Sequence, residues 1–311
     1  MRKLVIISGP TAVGKSDISI KLAKRIGGEI ISADSVAVYR GLDIGSAKLS
    51  ADEMQGIKHY LIDCLEPTDD FDVSVFQKLA NEAVDEIYSH GKIPIMVGGT
   101  AFYIQALIYG IDFTGEDHDD SYRKSLEEFS PEQLYAMLTD VDPDYAQSVH
   151  MNNKKRVIRA LEYNHFTGDL FSRYNKEQSE KTPLFDFNYF VLDDNRERLY
   201  ERIDKRVDKM IQMGLVEEVR GLKGCGYTTD MVSMQGIGYK EIFSYLNGEC
   251  SLSQAIENIK LGTRHFAKRQ LTWFRHEKDT QFINKGDFDY DDDRIVEYMI
   301  DKIGVADERN I

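Results

Sequence analysis

The sequence predicts an α/β protein with a parallel-sheet core and a helical insertion, and three observations carry that prediction. Strand-like and helix-like segments alternate from residue 1 to about 112; a strand, a glycine loop and a helix start follow one another at the N-terminus; and an acidic, helix-patterned stretch without strand signals begins near 113. With 311 residues, 42% of them hydrophobic and 11% aromatic, the chain can bury one large or two modest cores.

Lys3 to Ser8 (KLVIIS) reads as a short buried parallel strand. The next eight residues, Gly9, Pro10, Thr11, Ala12, Val13, Gly14, Lys15 and Ser16, fit G-x-x-x-x-G-K-[ST] without a mismatch. Asp17 to Ile26 then carries Ile18, Ile20, Leu22, Ala23 and Ile26 at helical spacing. The chemistry of this pattern is specific. Glycines let backbone N–H groups converge on an anion, the helix N-terminus adds partial positive charge, Lys15 neutralises phosphate oxygens, and Ser16 can hold Mg²⁺. The core is therefore expected to be P-loop NTPase-like, with phosphate chemistry as the first hypothesis.

A second strand, EIISA at 29 to 33, ends at Asp34, beside the P-loop at the carboxyl edge of the sheet. There a carboxylate would hold Mg²⁺ or take a proton, or else cap the next turn with Ser35. A helix at 75 to 90 leads into KIPIMVGG at 92 to 99, a third strand expected at a sheet edge. It ends in Gly98-Gly99-Thr100 instead of the acid a Walker-B strand supplies, which weakens an ATPase reading. Thr100 suits an N-cap for a helix over 101 to 109, with a hydroxyl that can also face phosphates.

Residues 113 to 185 are expected to form the helical insertion, and 1 to 112 with 186 to 311 the core domain. The texture turns acidic at Gly115, and NYFVL at 188 to 192 returns the chain to the sheet. One long amphipathic helical region over Asn195 to Arg220 and two helices at 239 to 247 and 251 to 275 complete the reading, with DFDYDDD (287 to 293) as a solvated loop capping the last helix. Arg202 and Arg206, four apart, project from one helix face, where they would clamp a leaving phosphate or pair with Glu201 or Asp204.

The net charge of −14 argues against a generic nucleic-acid coat. Screening over about 8 Å nevertheless allows a local basic patch to bind RNA. Two such patches exist: Lys154, Lys155, Arg156 and Arg159, and the group Lys260, Arg264, Lys268, Arg269, Arg275 and Lys278. In the second, Phe266, Trp273 and Phe274 interleave, offering stacking beside phosphate contacts; a solvated helix face over core aromatics is the alternative. Three cysteines without C-x-x-C spacing and seven scattered histidines offer no zinc site. Four apolar residues after Met1-Arg2-Lys3 are too few for a secretion signal, and no window reaches the ~20 apolar residues of a membrane helix, so a soluble cytoplasmic chain with no membrane partner is expected.

The strings GPTAVGKS (9 to 16), ISADSVAVYRGLDIGSAK (31 to 48), VGGTAFY (97 to 103), KRVIRALE (155 to 162), QGIGYKE (235 to 241) and TRHFAKRQLTWFR (263 to 275) together resemble the bacterial-type tRNA dimethylallyltransferases of the IPP transferase family. The resemblance implies transfer of a dimethylallyl group from dimethylallyl diphosphate to N6 of the adenosine 3′ of the anticodon. It makes Asp34, Thr100 and Arg206 catalytic, puts the leaving diphosphate in the P-loop with Mg²⁺ on Ser16, and takes the tRNA anticodon stem-loop as partner of a monomeric chain. Carried over by position, tRNA contacts fall on Asp34, Ser35, Val36, Ala37, Thr100 and Arg123, and on Lys155, Arg156, Val157, Ile158 and Arg159. They continue on Gln235, Gly236, Ile237, Gly238, Tyr239 and Lys240, and on Lys268, Arg269, Gln270, Leu271, Thr272, Trp273, Phe274 and Arg275. Ala37 stands where many members have Gln, and Lys155 where some do. Two rival readings are a P-loop small-molecule kinase and an RNA-binding adaptor without catalysis.

Overall fold

Leu4, Val5, Ile6 and Ile7 are all fully buried, as a central parallel strand covered by helices on both faces requires. They belong to β1 (Arg2–Ser8), which a computed structural model places in a six-stranded parallel sheet with β2 (Gly28–Ala33), β3 (His59–Tyr60), β4 (Ile93–Gly98), β5 (Phe185–Asp193) and β6 (Thr280–Asn284). The structure describes residues 1–113 and 120–307. The strand order is β3-β2-β4-β1-β5-β6, so β1 lies between β4 and β5, and the carboxyl ends of β1, β2, β4 and β5 share one edge. Ligand crevices of open α/β sheets form at such an edge.

The helices are α1 (Lys15–Ile26), α2 (Val73–Ser89), α3 (Ala101–Tyr109), α4 (Asp120–Glu127), α5 (Pro131–Val141), α6 (Pro143–Ser148), α7 (Lys154–Thr167), α8 (Phe171–Ser179), α9 (Arg196–Gln212), α10 (Leu215–Gly224), α11 (Tyr239–Leu246), α12 (Leu252–Phe274) and α13 (Asp292–Ile303). Two compact units result: Met1–Ile108 with the chain from Phe185 onward, and Tyr109–Leu184. In the first, Ile18 and Leu22 of α1 and Ile295 and Met299 of α13 share one cluster with Val5, Ile7 and Phe190 of the sheet. Each such side chain contributes about 1.5–3 kcal/mol by leaving water. The second unit packs Leu134, Leu138, Val157, Leu161 and Phe171 around its own centre. Its α5 begins with a reciprocal cap between Ser130 and Gln133 and a proline in the first turn.

Several sequence expectations change. The strand ending at Gly98 is interior, between β2 and β1, because Ile93–Gly98 finds ladder partners on both sides. The helical region after NYFVL is two helices, broken where Gly214 takes φ +103 and caps α10. The acidic stretch 287 to 293 is not a plain solvated loop. It follows β6, which the sequence reading lacks, and Asp291 caps α13 by accepting from Asp293 N at 2.9 Å. Strand β3 is also absent from that reading, since two residues carry no period. Gly115, where the texture was expected to change, lies outside the described residues.

Candidate active site

β1 runs straight into the glycine loop, and two glycines explain its shape. Gly9 has φ +139, and a Cβ there would come within 2.4 Å of the Leu192 carbonyl oxygen of β5. Gly14, at φ +100, opens α1 without a side-chain cap, leaving the first helical N–H groups for an anion. Lys15 Nζ folds back over the loop to the carbonyls of Gly9 at 3.0 Å and Pro10 at 2.8 Å. Burial pulls its pKa down to about 7; nearby Arg206 pushes the same way, and Asp34 opposes both. Ser16 is half-buried at the first turn of α1.

β2 delivers Asp34 to the same edge. Its Oδ1 accepts from Val36 N at 2.8 Å and Ala37 N at 3.1 Å, so the turn-capping role anticipated with Ser35 is filled by one carboxylate oxygen. Oδ2 is left for other work. β4 ends against β2 so tightly that a Cβ on Gly98 would sit 2.3 Å from the Ala33 carbonyl oxygen, and the chain then turns through Gly99 to Thr100. The Thr100 carbonyl accepts from Ile104 N at 3.3 Å to start α3, while its hydroxyl bonds to no described residue.

α9 points two arginines at this edge with different fates. Arg202 Nε donates to the Ala12 carbonyl at 2.7 Å, bracing the loop. Arg206 is half-buried and forms no ion pair with a described residue. Burial lowers its pKa, Asp34 raises it, and Arg202 lowers it further, so Lys15, Arg206 and Asp34 lie in mutual electrostatic reach and Arg202 in reach of Arg206. The alternative pairings fail because Asp204 binds Arg264, at 2.9 Å, and Glu201 faces Lys205 at 3.7 Å. A half-buried guanidinium near a lysine, with no carboxylate in contact among the described residues, suits an anionic ligand.

The other sequence-chosen residues divide by orientation. Around the Asp34 turn, Ser35 is exposed, Val36 half-buried and Ala37 buried, and the turn at Gly236 approaches Val36 so that a Cβ there would meet Val36 Cγ2 at 3.4 Å. Gln235 and Lys240 are exposed, Ile237 half-buried, and Gly238 N donates to Glu241 Oε2 at 2.8 Å. Tyr239 is fully buried and its hydroxyl donates to Glu218 Oε1 at 2.9 Å, so its side chain serves the core. On α12, Lys268, Arg269, Thr272, Trp273 and Arg275 face outward, Leu271 is half-buried, and Phe274 and Gln270 turn inward. Lys260 and Arg264, expected in the same basic stripe, are engaged by Asp208 at 2.7 Å and Asp204. Their charge ties α12 to α9, which corrects the reading of them as phosphate contacts.

In the second unit, Lys155 and Arg156 are exposed and Arg159 is half-buried, while Val157 and Ile158 sit in the core, as alternate faces of one helix must. Arg123 makes a fork to the fully buried Glu162 at 2.9 and 2.6 Å. One residue the sequence reading missed is Lys285. It is 5% exposed, lies 2.9 Å from Asp292 Oδ1, and its Nζ would be 3.1 Å from a Cβ on Gly14. No local pattern could have found it, because β6 brings it to the loop from far along the chain.

A glycine loop at the carboxyl end of a central parallel strand, cations from a distant helix around it and a carboxylate from the neighbouring strand define a P-loop α/β protein built for a phosphorylated ligand. The IPP transferase family model matches residues 37–277. The tRNA dimethylallyltransferase of Lachnoclostridium phytofermentans is 54% identical over 295 residues, 94% of each chain. The full-length tRNA isopentenylpyrophosphate transferase of Bacillus halodurans is 40% identical with a TM-score of 0.74, covering 98% of this chain and 97% of its own. A eukaryotic dimethylallyltransferase acting on tRNA reaches a TM-score of 0.81 at 32% identity, over 91% of this chain and 74% of its own. The chain belongs to the IPP transferase family.

Proposed function

We infer that this protein is a tRNA prenyltransferase: it moves a dimethylallyl group from dimethylallyl diphosphate to N6 of the adenosine immediately 3′ of the anticodon and releases diphosphate. The observation that carries the reading is Arg206 near Lys15, two cations at the P-loop that form no ion pair with a described residue, in electrostatic reach of Asp34, whose Oδ2 bonds to no described residue. As the allylic C–O bond breaks, its electron pair goes to the diphosphate, and the loop amides, Lys15, Thr100 and Arg206 stabilise the growing charge. The N6 lone pair forms the new C–N bond, and the N6 proton passes to Asp34 Oδ2.

The donor set fits Mg²⁺. Among the described residues no three His, Cys, Asp or Glu side chains cluster as a metal cage, whereas Mg²⁺ at phosphates needs only one or two protein oxygens, here the Ser16 hydroxyl. Bound there, the ion would neutralise charge on the departing diphosphate. β4 ends at Gly98 without an acid, which weakens an ATPase reading, and the 54% identity to a tRNA dimethylallyltransferase favours prenyl transfer over the kinase alternative.

A flipped adenine suits a site at a sheet edge, and Lys268, Arg269, Trp273 and Arg275 offer an outward basic and aromatic row to the anticodon stem-loop. Among the described residues no helix is long and apolar enough to cross a membrane, in keeping with action in the cytoplasm, and the chain is proposed to act as a monomer. Incubating the protein with Mg²⁺, dimethylallyl diphosphate and an A-rich anticodon hairpin should add the mass of one dimethylallyl unit to the RNA and release pyrophosphate. Hydrolysis of a β–γ bond of ATP, or hairpin binding with no mass change, would overturn the assignment.

A further inference from the structure

Gln270 was placed by position among the RNA contacts, but its side chain points the other way. It is 6% exposed, Oε1 accepts from Thr11 N at 2.9 Å, and Nε2 donates to the Gly99 carbonyl at 3.0 Å. One amide from α12 thus spans the P-loop and the turn between β4 and α3 that carries Thr100. Its orientation is fixed by chemistry, since reversing the amide would set donor against donor and acceptor against acceptor. Thr11 N–H, directed at Gln270, holds the loop from outside the cradle.

Gly99 supports the same assignment independently. Its φ lies outside the left-handed region, so backbone strain does not require glycine there. Space does: an added Cβ would stand 2.1 Å from Gln270 Nε2 and 3.2 Å from Cδ. The missing side chain of Gly99 is occupied by the amide of Gln270.

We propose that Gln270 is a positioning residue for the diphosphate cradle, a strap that holds the P-loop at Thr11 and the Thr100 turn at Gly99 in register, and that it acts on donor binding and not on RNA contact. The proposal rests on the phosphate-binding half of the reading above. Both hydrogen bonds bridge backbone groups of separate elements that meet at the carboxyl edge of the sheet. Without them, the loop amides and the Thr100 hydroxyl lose their common reference.

The test reads inorganic pyrophosphate binding by calorimetry in Mg²⁺ buffer, with no RNA and no turnover, so its outcome is independent of whether prenyl transfer occurs. Gln270→Leu removes both hydrogen bonds and should weaken pyrophosphate about tenfold while leaving hairpin affinity within about twofold. Gln270→Glu keeps an acceptor for Thr11 N–H but sets an oxygen against the Gly99 carbonyl and a negative charge beside the anion loop, so it should weaken pyrophosphate at least as much as leucine, and it serves if the leucine variant does not fold. Gly99→Ala should weaken pyrophosphate on its own, but combined with Gln270→Ala it should be no worse than Gln270→Ala alone, the non-additivity of groups sharing one space. Additive losses in that double variant, or a change in hairpin affinity with pyrophosphate binding intact, would overturn the proposal. Failure of the unaltered chain to prenylate RNA while binding pyrophosphate would instead sink the reaction and leave the strap standing.

Discussion

Replacing Asp34 by asparagine separates the two jobs the carboxylate holds. Oδ1 caps the following turn through Val36 N at 2.8 Å and Ala37 N at 3.1 Å, and asparagine keeps an oxygen in that position. What it removes is Oδ2 as a proton acceptor. Loss of a general base commonly costs 10²- to 10⁴-fold, so the barrier should rise by about 3–5 kcal/mol while the turn, and the hairpin affinity that depends on it, stay intact. Asp34→Ala, by contrast, also strips the cap from two backbone N–H groups and should lower stability by a further 1–2 kcal/mol or so. Single-turnover measurements with saturating dimethylallyl diphosphate and an anticodon hairpin give the chemical rate, fluorescence anisotropy gives the hairpin affinity, and a urea melt gives stability. Turnover of Asp34→Asn within a few-fold of the unaltered protein would show that the proton leaves by another route. Lost hairpin affinity at an unchanged chemical rate would make Asp34 an RNA anchor and refute its role as base.

Two further outcomes follow from the same geometry. Lys268→Ala and Arg275→Ala, both exposed on the outward row of α12, should each flatten the salt dependence of hairpin binding by about 0.7–0.9 log units per lost phosphate contact, whereas Lys260→Ala, already held by Asp208 at 2.7 Å, should leave the slope alone; equal slopes for all three would remove the row from the RNA face. Glu29 is buried, which raises its pKa, but hydrogen bonds from Lys92, Tyr60 and His90 outweigh burial and hold it below its usual 4.5. Its contribution is therefore complete above about 4.5 and disappears as pH falls through the lower folded value. Glu29→Gln should cost about 1–3 kcal/mol in urea melts at pH 7, with the deficit shrinking in acid; a deficit independent of pH would contradict the depressed pKa.

The local parts of this protein were legible in its sequence because they are written in consecutive residues. GPTAVGKS needs only a strand before it and a helix after it, and both are present as β1 and α1. Asp34 follows its strand directly, so its place at the carboxyl edge needed no tertiary knowledge. Basic residues on α12 were legible as a stripe, but not their division: Lys260 and Arg264 meet acids on α9, while Lys268 and Arg275 meet water. Helical spacing says which residues share a face, not what stands opposite it.

The chain order of residues thus determined the anion loop, the carboxylate beside it, the helix-rich middle segment and the family to which they belong. Tertiary structure alone decided that β4 is interior, that β6 and α13 bring Lys285 to Gly14, that Arg206 forms no ion pair with a described residue, and that Gln270 faces the loop and not the solvent. The reason is range. Backbone conformation and motif spacing are properties of neighbours along the chain, whereas a hydrogen bond between Gln270 and Thr11 joins groups separated by 259 residues and exists only once the sheet has brought both ends to one edge.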